Sequence, residues 1–225
     1  MAISQRLQRA ISWPLVLLAL MWLIFIVQHV TGADWFIYGV APRKVFALRG
    51  IFITPFLHGS WAHLLSNSVP FFVLMAMILY FYPRVAVTAL LIIYLGTGVA
   101  MWCFADPEAM FSPFGRTSYH IGASGVVYGM ATFLAFTGFF RRNIRAIAIS
   151  LVIVFYYGGM IWGVLPLQDG VSWEGHLYGA LVGIFTAYWF RKRIEESEVR
   201  QLPSYEQNPE EEQYFLPRDI FKGKE

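Results

Sequence analysis

The stretch GASGVVYGMATFLAFTGFF at residues 122–140 decides how the rest of the chain is read. It is apolar over about the 20 residues that a helix needs to cross a bilayer, yet it opens on a hydroxyl, Ser124, set among Gly122, Gly125 and Gly129. A second stretch, WEGHLYGALVGIFTAYWF at residues 173–190, has the same build and opens on an imidazole, His176. Polar groups at membrane depth are costly and by default point to function. Working outward, four more apolar runs near 13–30, 63–82, 85–104 and 146–165 bring the spans to six. The expected fold class is all-α and polytopic, with six transmembrane helices in one bundle over residues 1–193.

Composition supports a membrane protein. The chain of 225 residues is 57% hydrophobic and only 14% charged, with mean hydropathy +0.54, well beyond an ordinary soluble domain. Arg6 and Arg9 precede the first apolar run as in a secretory signal. That run is too long for one and lacks a small-residue cleavage site, so it reads as an uncleaved span. The lone Cys103 excludes an internal disulfide and reads as a small core residue.

Charge sets the expected orientation. One set of helix ends carries nine basic residues (Arg6, Arg9, Arg84, Arg141, Arg142, Arg145, Arg191, Lys192 and Arg193), and the other carries four (Arg43, Lys44, Arg49 and Arg116). Lys and Arg favour the cytoplasmic side, so both termini are expected there. The acids before residue 194, Asp34, Asp106, Glu108, Asp169 and Glu174, all fall on the opposite side. No basic cluster marks a nucleic-acid partner.

Segment 32–55 is an outer loop by topology, but Trp35, Phe36, Tyr38, Phe46 and Phe52 make it amphipathic, so it is expected to sink into the interface. Loops 105–121 and 166–172 carry ordinary turn chemistry and are placed to act as a lid. Residues 194–225 hold nine Asp or Glu and three Pro, and read as a largely disordered acidic cytoplasmic tail. A short helix at 191–200 is expected to continue the last span.

With the amino terminus inside, the second, fourth and sixth spans all run from outside to inside, and their first turns share one depth. His58, His63 and Asn67, Ser124, and His176 fall there. His63 and Asn67 are four apart, as are Ser124 and Tyr128, so each pair shares a helix face. The pairs Gly125 with Gly129 and Gly179 with Gly183 are small-xxx-small signatures that let two backbones approach. The chemistry of this set is acyl transfer, with Ser124 as nucleophile and His176 as general base. Asn67, His63 and the Ser124 amide would serve as oxyanion donors. Glu174 points to another side of its helix than His176, so a dyad is expected, with Tyr128 orienting the imidazole by packing.

At this point the chain resembles the rhomboid family of intramembrane serine proteases. Gly122-Ala123-Ser124-Gly125 is similar to its nucleophile motif, His176 with Gly179 and Gly183 to its base helix, and His58, His63 and Asn67 to its histidine-rich motif. The resemblance covers about residues 13–190. It implies a rhomboid-like bundle with a membrane-embedded first loop, a fifth span acting as lateral gate, and Tyr128 packed on the base. It also implies membrane-protein substrates cut near the outer end of a helix, after a small residue. The Trp-Arg pair of the family's first loop is missing, and Leu48-Arg49, its nearest counterpart, takes no role here.

Blander readings stand beside this one. Ser124 alone reads as a packing residue, and His176 alone as a bridge between helices. His58 reads as structural, hydrogen-bonded to the first loop, while His29 and His120 read as interfacial. Trp13, Trp35, Trp61, Trp173 and Trp189 read as interface belts. A metal site drawn from His58, His63, His120 and His176 lacks motif spacing, so no metal or cofactor is expected. A transporter would show inverted repeats, broken helices or charges at the midplane, and none is read from the sequence. The remaining alternative is a non-catalytic rhomboid-like binder of membrane helices, which should lack the nucleophile or the base. Expected partners are transmembrane substrates and membrane lipid, with weak homo-oligomerisation left open. The expected location is a bacterial inner membrane.

Overall fold

The computed structural model describes residues 3–106, 118–167, 172–195 and 198. The chain divides into two units, Met1–Glu195 and Glu196–Glu225. Except for Glu198, the second unit lies outside the described residues, and with it most of the segment read as an acidic tail. The central parts of the two loops expected to form a lid, 107–117 and 168–171, also lie outside them.

Among its described residues the first unit carries the long helices α1 (Ile3–Thr31), α2 (Trp61–Phe81), α3 (Ala86–Phe104), α4 (Ser124–Arg141), α5 (Ile144–Tyr157) and α6 (Trp173–Trp189), with the short α-helix Gly50–Ile53 in the first loop. No strand occurs among the described residues, and an isolated bridge joins Val40 to His120. Among the described residues, four helical segments are long and apolar enough to cross a membrane: α1, α2, α3 and Ile144–Val164, which is α5 with the 3-10 turns that follow it. Large apolar side chains such as Leu23, Val69, Leu91, Leu151 and Phe155 stay exposed along these segments. Contiguous exposure of that kind suits lipid and not water.

Local chemistry sets most helix ends. Ser60 caps α2 by accepting the His63 amide, Asn143 caps α5 through Ala146, and Ser172 caps α6 through Gly175. Arg142, in the left-handed region, ends α4. Two ends depart from expectation. The fifth helix stops at Tyr157, and Gly158–Val164 tightens into a 3-10 segment because Gly158 and Gly159 are poor α-helix residues. The sixth does not continue past Trp189. The chain turns at 190–193 and brings Ile194 to Arg84, whose guanidinium donates to the Ile194 carbonyl at 2.8 Å.

Helix α4 occupies the centre, packed against α2, α3, α5 and α6, and its Met130, Phe133 and Leu134 are fully enclosed. Helix α1 packs on α2, where the Trp22 indole donates to Ser68 Oγ at 3.1 Å. The closest approach is between α4 and α6. A methyl group on Gly125 would lie 2.9 Å from the Gly175 carbonyl oxygen, and one on Gly129 would lie 3.1 Å from that of Gly179. On the opposite helix, a Cβ at Gly179 would overlap the Gly125 carbonyl, and one at Gly183 the Gly129 carbonyl. Thr132 Oγ1 adds a hydrogen bond across the seam to the Ala180 carbonyl, at 2.9 Å. Steric freedom at these glycines holds the first turns of α4 and α6 together.

Gly179→Ala is expected to force this seam apart and destabilise the bundle by about 1–3 kcal/mol. Thermal unfolding in detergent measures it, and an unchanged midpoint would remove the seam from the account.

Candidate active site

The segment leading into Ser124 is extended and pinned from three sides. His120 exchanges backbone hydrogen bonds with Val40, at 2.8 and 3.1 Å. Thr54 Oγ1 accepts from the Val40 amide at 2.8 Å and donates to the His120 carbonyl at 3.2 Å. The Gly122 amide donates to the Thr54 carbonyl at 2.9 Å. Gly122 has φ +107°, a conformation that L-residues rarely adopt, and a Cβ there would sit 2.6 Å from the His63 ring. Ser124 follows as the first residue of α4, where a helix amide has no intrahelical partner.

His176 stands on the first turn of α6, and its Nε2 lies 2.8 Å from Ser124 Oγ. Its Nδ1 lies 2.8 Å from the Gly163 carbonyl oxygen. A carbonyl only accepts, so Nδ1 carries the hydrogen and Nε2 presents its lone pair to the Ser124 hydroxyl. The Tyr128 ring stacks on the imidazole, with centroids 4.2 Å apart and planes within 7°. The Tyr128 hydroxyl donates to the Met160 carbonyl at 2.8 Å. Both acceptors belong to the 3-10 segment Gly158–Val164. A side chain at Gly163 would collide with the Tyr128 hydroxyl and press on His176 Nδ1.

On the other side of Gly122 lie His63 and Asn67, which α2 carries one turn apart. Asn67 is buried, and its Nδ2 meets no hydrogen-bond partner. A cavity of about 20 Å³ lined by Thr54, Thr97, Gly122, Ser124, Ser172 and Gly175 adjoins the hydroxyl, with room for one water molecule. A cavity of about 580 Å³ lies between α1, α2, α3 and α4 among apolar side chains such as Trp13, Met21, Phe71 and Val126, and Ser124 does not line it. No group of three His, Cys, Asp or Glu that would suit a metal ion occurs among the described residues.

His58 is fully enclosed. Its ring packs edge-on against His63, with centroids 5.0 Å apart. His120 is buried, not interfacial, because its backbone pairing with Val40 turns the side chain toward Ser172. Sequence reasoning passed over Thr54, Arg43 and Gly163. Arg43 donates to the carbonyls of Cys103, Ala105 and Asp106 and so anchors the first loop to the end of α3. These contacts are mostly to backbone, which leaves no residue-type signature; the glycines at 158, 159 and 163 are the one signal that could have marked an interrupted helix.

Fold and site together define a class: a multi-pass helical membrane protein with a serine and histidine hydrogen-bonded between two close-packed helices. Residues 46–193 match the Rhomboid domain family, and the chain belongs to it. Over 177 residues it is 34% identical to an uncharacterized protein of Mycobacterium bovis and to one of Mycobacterium tuberculosis, covering 77% of this chain and 72% of each relative. An uncharacterized protein of Mycobacterium leprae matches at 34% identity over 77% of this chain and 68% of its own length.

His58 lies before α2, outside the spanning helices. Burial, and after it the neighbouring His63, lowers its pKa from 6.5 to about 4. The unfolded chain takes up a proton below 6.5 that the folded ring resists, so stability should fall as pH drops from about 6.5 to 4, by on the order of 3 kcal/mol. Unfolding measured at both ends of that window should show a shallower pH slope in His58→Leu than in the wild type. Equal slopes would exclude His58 as the source.

Proposed function

We propose that the protein is an intramembrane serine endopeptidase that cuts transmembrane segments of other membrane proteins near the outer face. In this reading all six helices span the membrane, both termini are cytoplasmic, and the membrane is a bacterial inner membrane. The observation that carries the reading is the bond from Ser124 Oγ to His176 Nε2, at 2.8 Å, with Nδ1 held by the Gly163 carbonyl.

In the reaction, Ser124 Oγ attacks the scissile carbonyl carbon as its proton passes to His176 Nε2. The imidazolium that forms keeps its Nδ1 hydrogen on the Gly163 carbonyl, and the Tyr128 ring face lies parallel to it, an arrangement that favours a cation. The carbonyl oxygen becomes an oxyanion and is met by Asn67 Nδ2, the His63 ring and the Ser124 amide. Asn67 supports this role because its amide nitrogen is buried and unpaired, a cost that a ligand oxygen would relieve. Nε2 then returns the proton to the leaving amine, and the carbon–nitrogen bond breaks. Water attacks the acyl ester with His176 as base, releasing the new carboxylate and restoring the Ser124 hydroxyl.

Substrate access follows the family pattern, with α5 as the gate. Its Leu151, Val154, Phe155 and Tyr156 are exposed, and an apolar face of that kind suits both lipid and a substrate helix. The apolar first-loop side chains Val45, Phe46 and Phe52 are also exposed, as a loop embedded in lipid requires.

The test is cleavage of a transmembrane substrate in reconstituted liposomes, combined with fluorophosphonate labelling mapped by mass. Wild type should cleave and take label on Ser124, and Ser124→Ala and His176→Ala should do neither. Intact substrate and unlabelled wild-type protein would move the assignment to a helix-binding member of the family without protease activity. Asn67→Ala is expected to retain the label site but lose about 100- to 1000-fold in turnover. Turnover within a factor of about two of wild type would take Asn67 out of the oxyanion site.

A further inference from the structure

A second serine, histidine and aspartate come together outside the dyad. His120 Nδ1 lies 2.6 Å from Ser172 Oγ, and His120 Nε2 lies 3.5 Å from Asp106 Oδ2. The His120 ring is 7% exposed. Nδ1 faces the Ser172 hydroxyl and Nε2 faces the carboxylate. His120 beside it, with smaller help from Arg43, holds the Asp106 carboxyl below the usual carboxylate range, so the group facing the ring is anionic. Ser172 Oγ also accepts the Gly175 amide at 3.4 Å and caps α6. The hydroxyl is therefore committed to two structural bonds and is not a second nucleophile.

The positions of the two residues decide what the contact does. His120 lies four residues before Ser124, and Ser172 lies four residues before His176. Between His120 and Ser124 the chain is non-helical and bends at Gly122, so the seam between α4 and α6 does not by itself fix how the segment enters α4. The side-chain bond closes a ring through Ser124, His176, Ser172 and His120. The 2.6 Å contact of His120 with Ser172 is thus a second tie between the two segments, four residues before the 2.8 Å contact of Ser124 with His176.

We propose that His120 is a positioning residue of the active site, holding the segment before Ser124 against the cap of the helix that carries His176, with Asp106 fixing its ring. The kinetic consequence rests on the protease reading, while the geometric one does not. A small loosening of two reacting groups costs rate and leaves binding intact.

The experiment uses the full chain in nanodiscs, labelled with 15N-histidine, as wild type, His120→Gln, Ser172→Ala and the double variant. The kinetic expectation for each single variant is a kcat about tenfold lower with KM changed by less than about twofold, and for the double variant no further loss. The ring nitrogen signals of His176 should shift in each variant, at an unfolding midpoint close to wild type. If His120→Gln does not fold, Asp106→Asn, which keeps the imidazole, takes its place with the same expectations. Unchanged His176 signals, losses that multiply in the double variant, losses confined to KM, or losses that track a falling midpoint would each overturn the proposal. If wild type itself cleaves nothing, the protease reading fails, and the His176 signals alone decide whether His120 positions the base.

Discussion

The close contact of two helix backbones is the constraint on which the rest of the site depends. Serine and histidine side chains are short, and they bond across α4 and α6 only where no Cβ keeps the axes apart. Gly125 and Gly129 on one helix meet Gly179 and Gly183 on the other, each against a carbonyl. Glycine costs a helix interior about 1 kcal/mol relative to alanine. Between helices in lipid, where apolar burial offers no advantage over contact with acyl chains, close packing supplies the compensating attraction.

That geometry orients the His176 ring through backbone and an aromatic face. A third carboxylate at membrane depth would have to be desolvated, which is expensive for a full charge. Here a neutral acceptor, the Gly163 carbonyl, sets the tautomer and direction of His176, and Tyr128 fixes the plane of the ring from the other side. Both Gly163 and Met160, which anchors Tyr128, lie in the 3-10 segment after α5. Orientation of the His176 ring thereby depends on how the chain runs from 158 to 164.

The site was unevenly legible in the sequence. Ser124 and His176 stand out because a hydroxyl and an imidazole open two otherwise apolar helices, and Gly125, Gly129, Gly179 and Gly183 repeat at the spacing of one helix face. Thr54, Gly163 and Arg43 did not stand out. Each works through a backbone carbonyl or amide supplied by a distant part of the chain, and backbone groups look alike in any sequence. His120 was misread for a related reason. Its neighbourhood is polar in sequence, but its pairing with Val40 carries it inward.

By itself the sequence determined that this is a helical membrane protein, where its apolar runs lie, and which helices carry small residues on one face. Those properties follow from composition and periodicity, which act within a single segment. Tertiary structure decided the 2.8 Å bond between Ser124 and His176, the carbonyl that orients the His176 ring and the turn that brings Ile194 to Arg84. Each of these depends on which groups of separate elements become neighbours, across 52 residues for the first and 110 for the last, and such contact is a property of packing that no local pattern encodes.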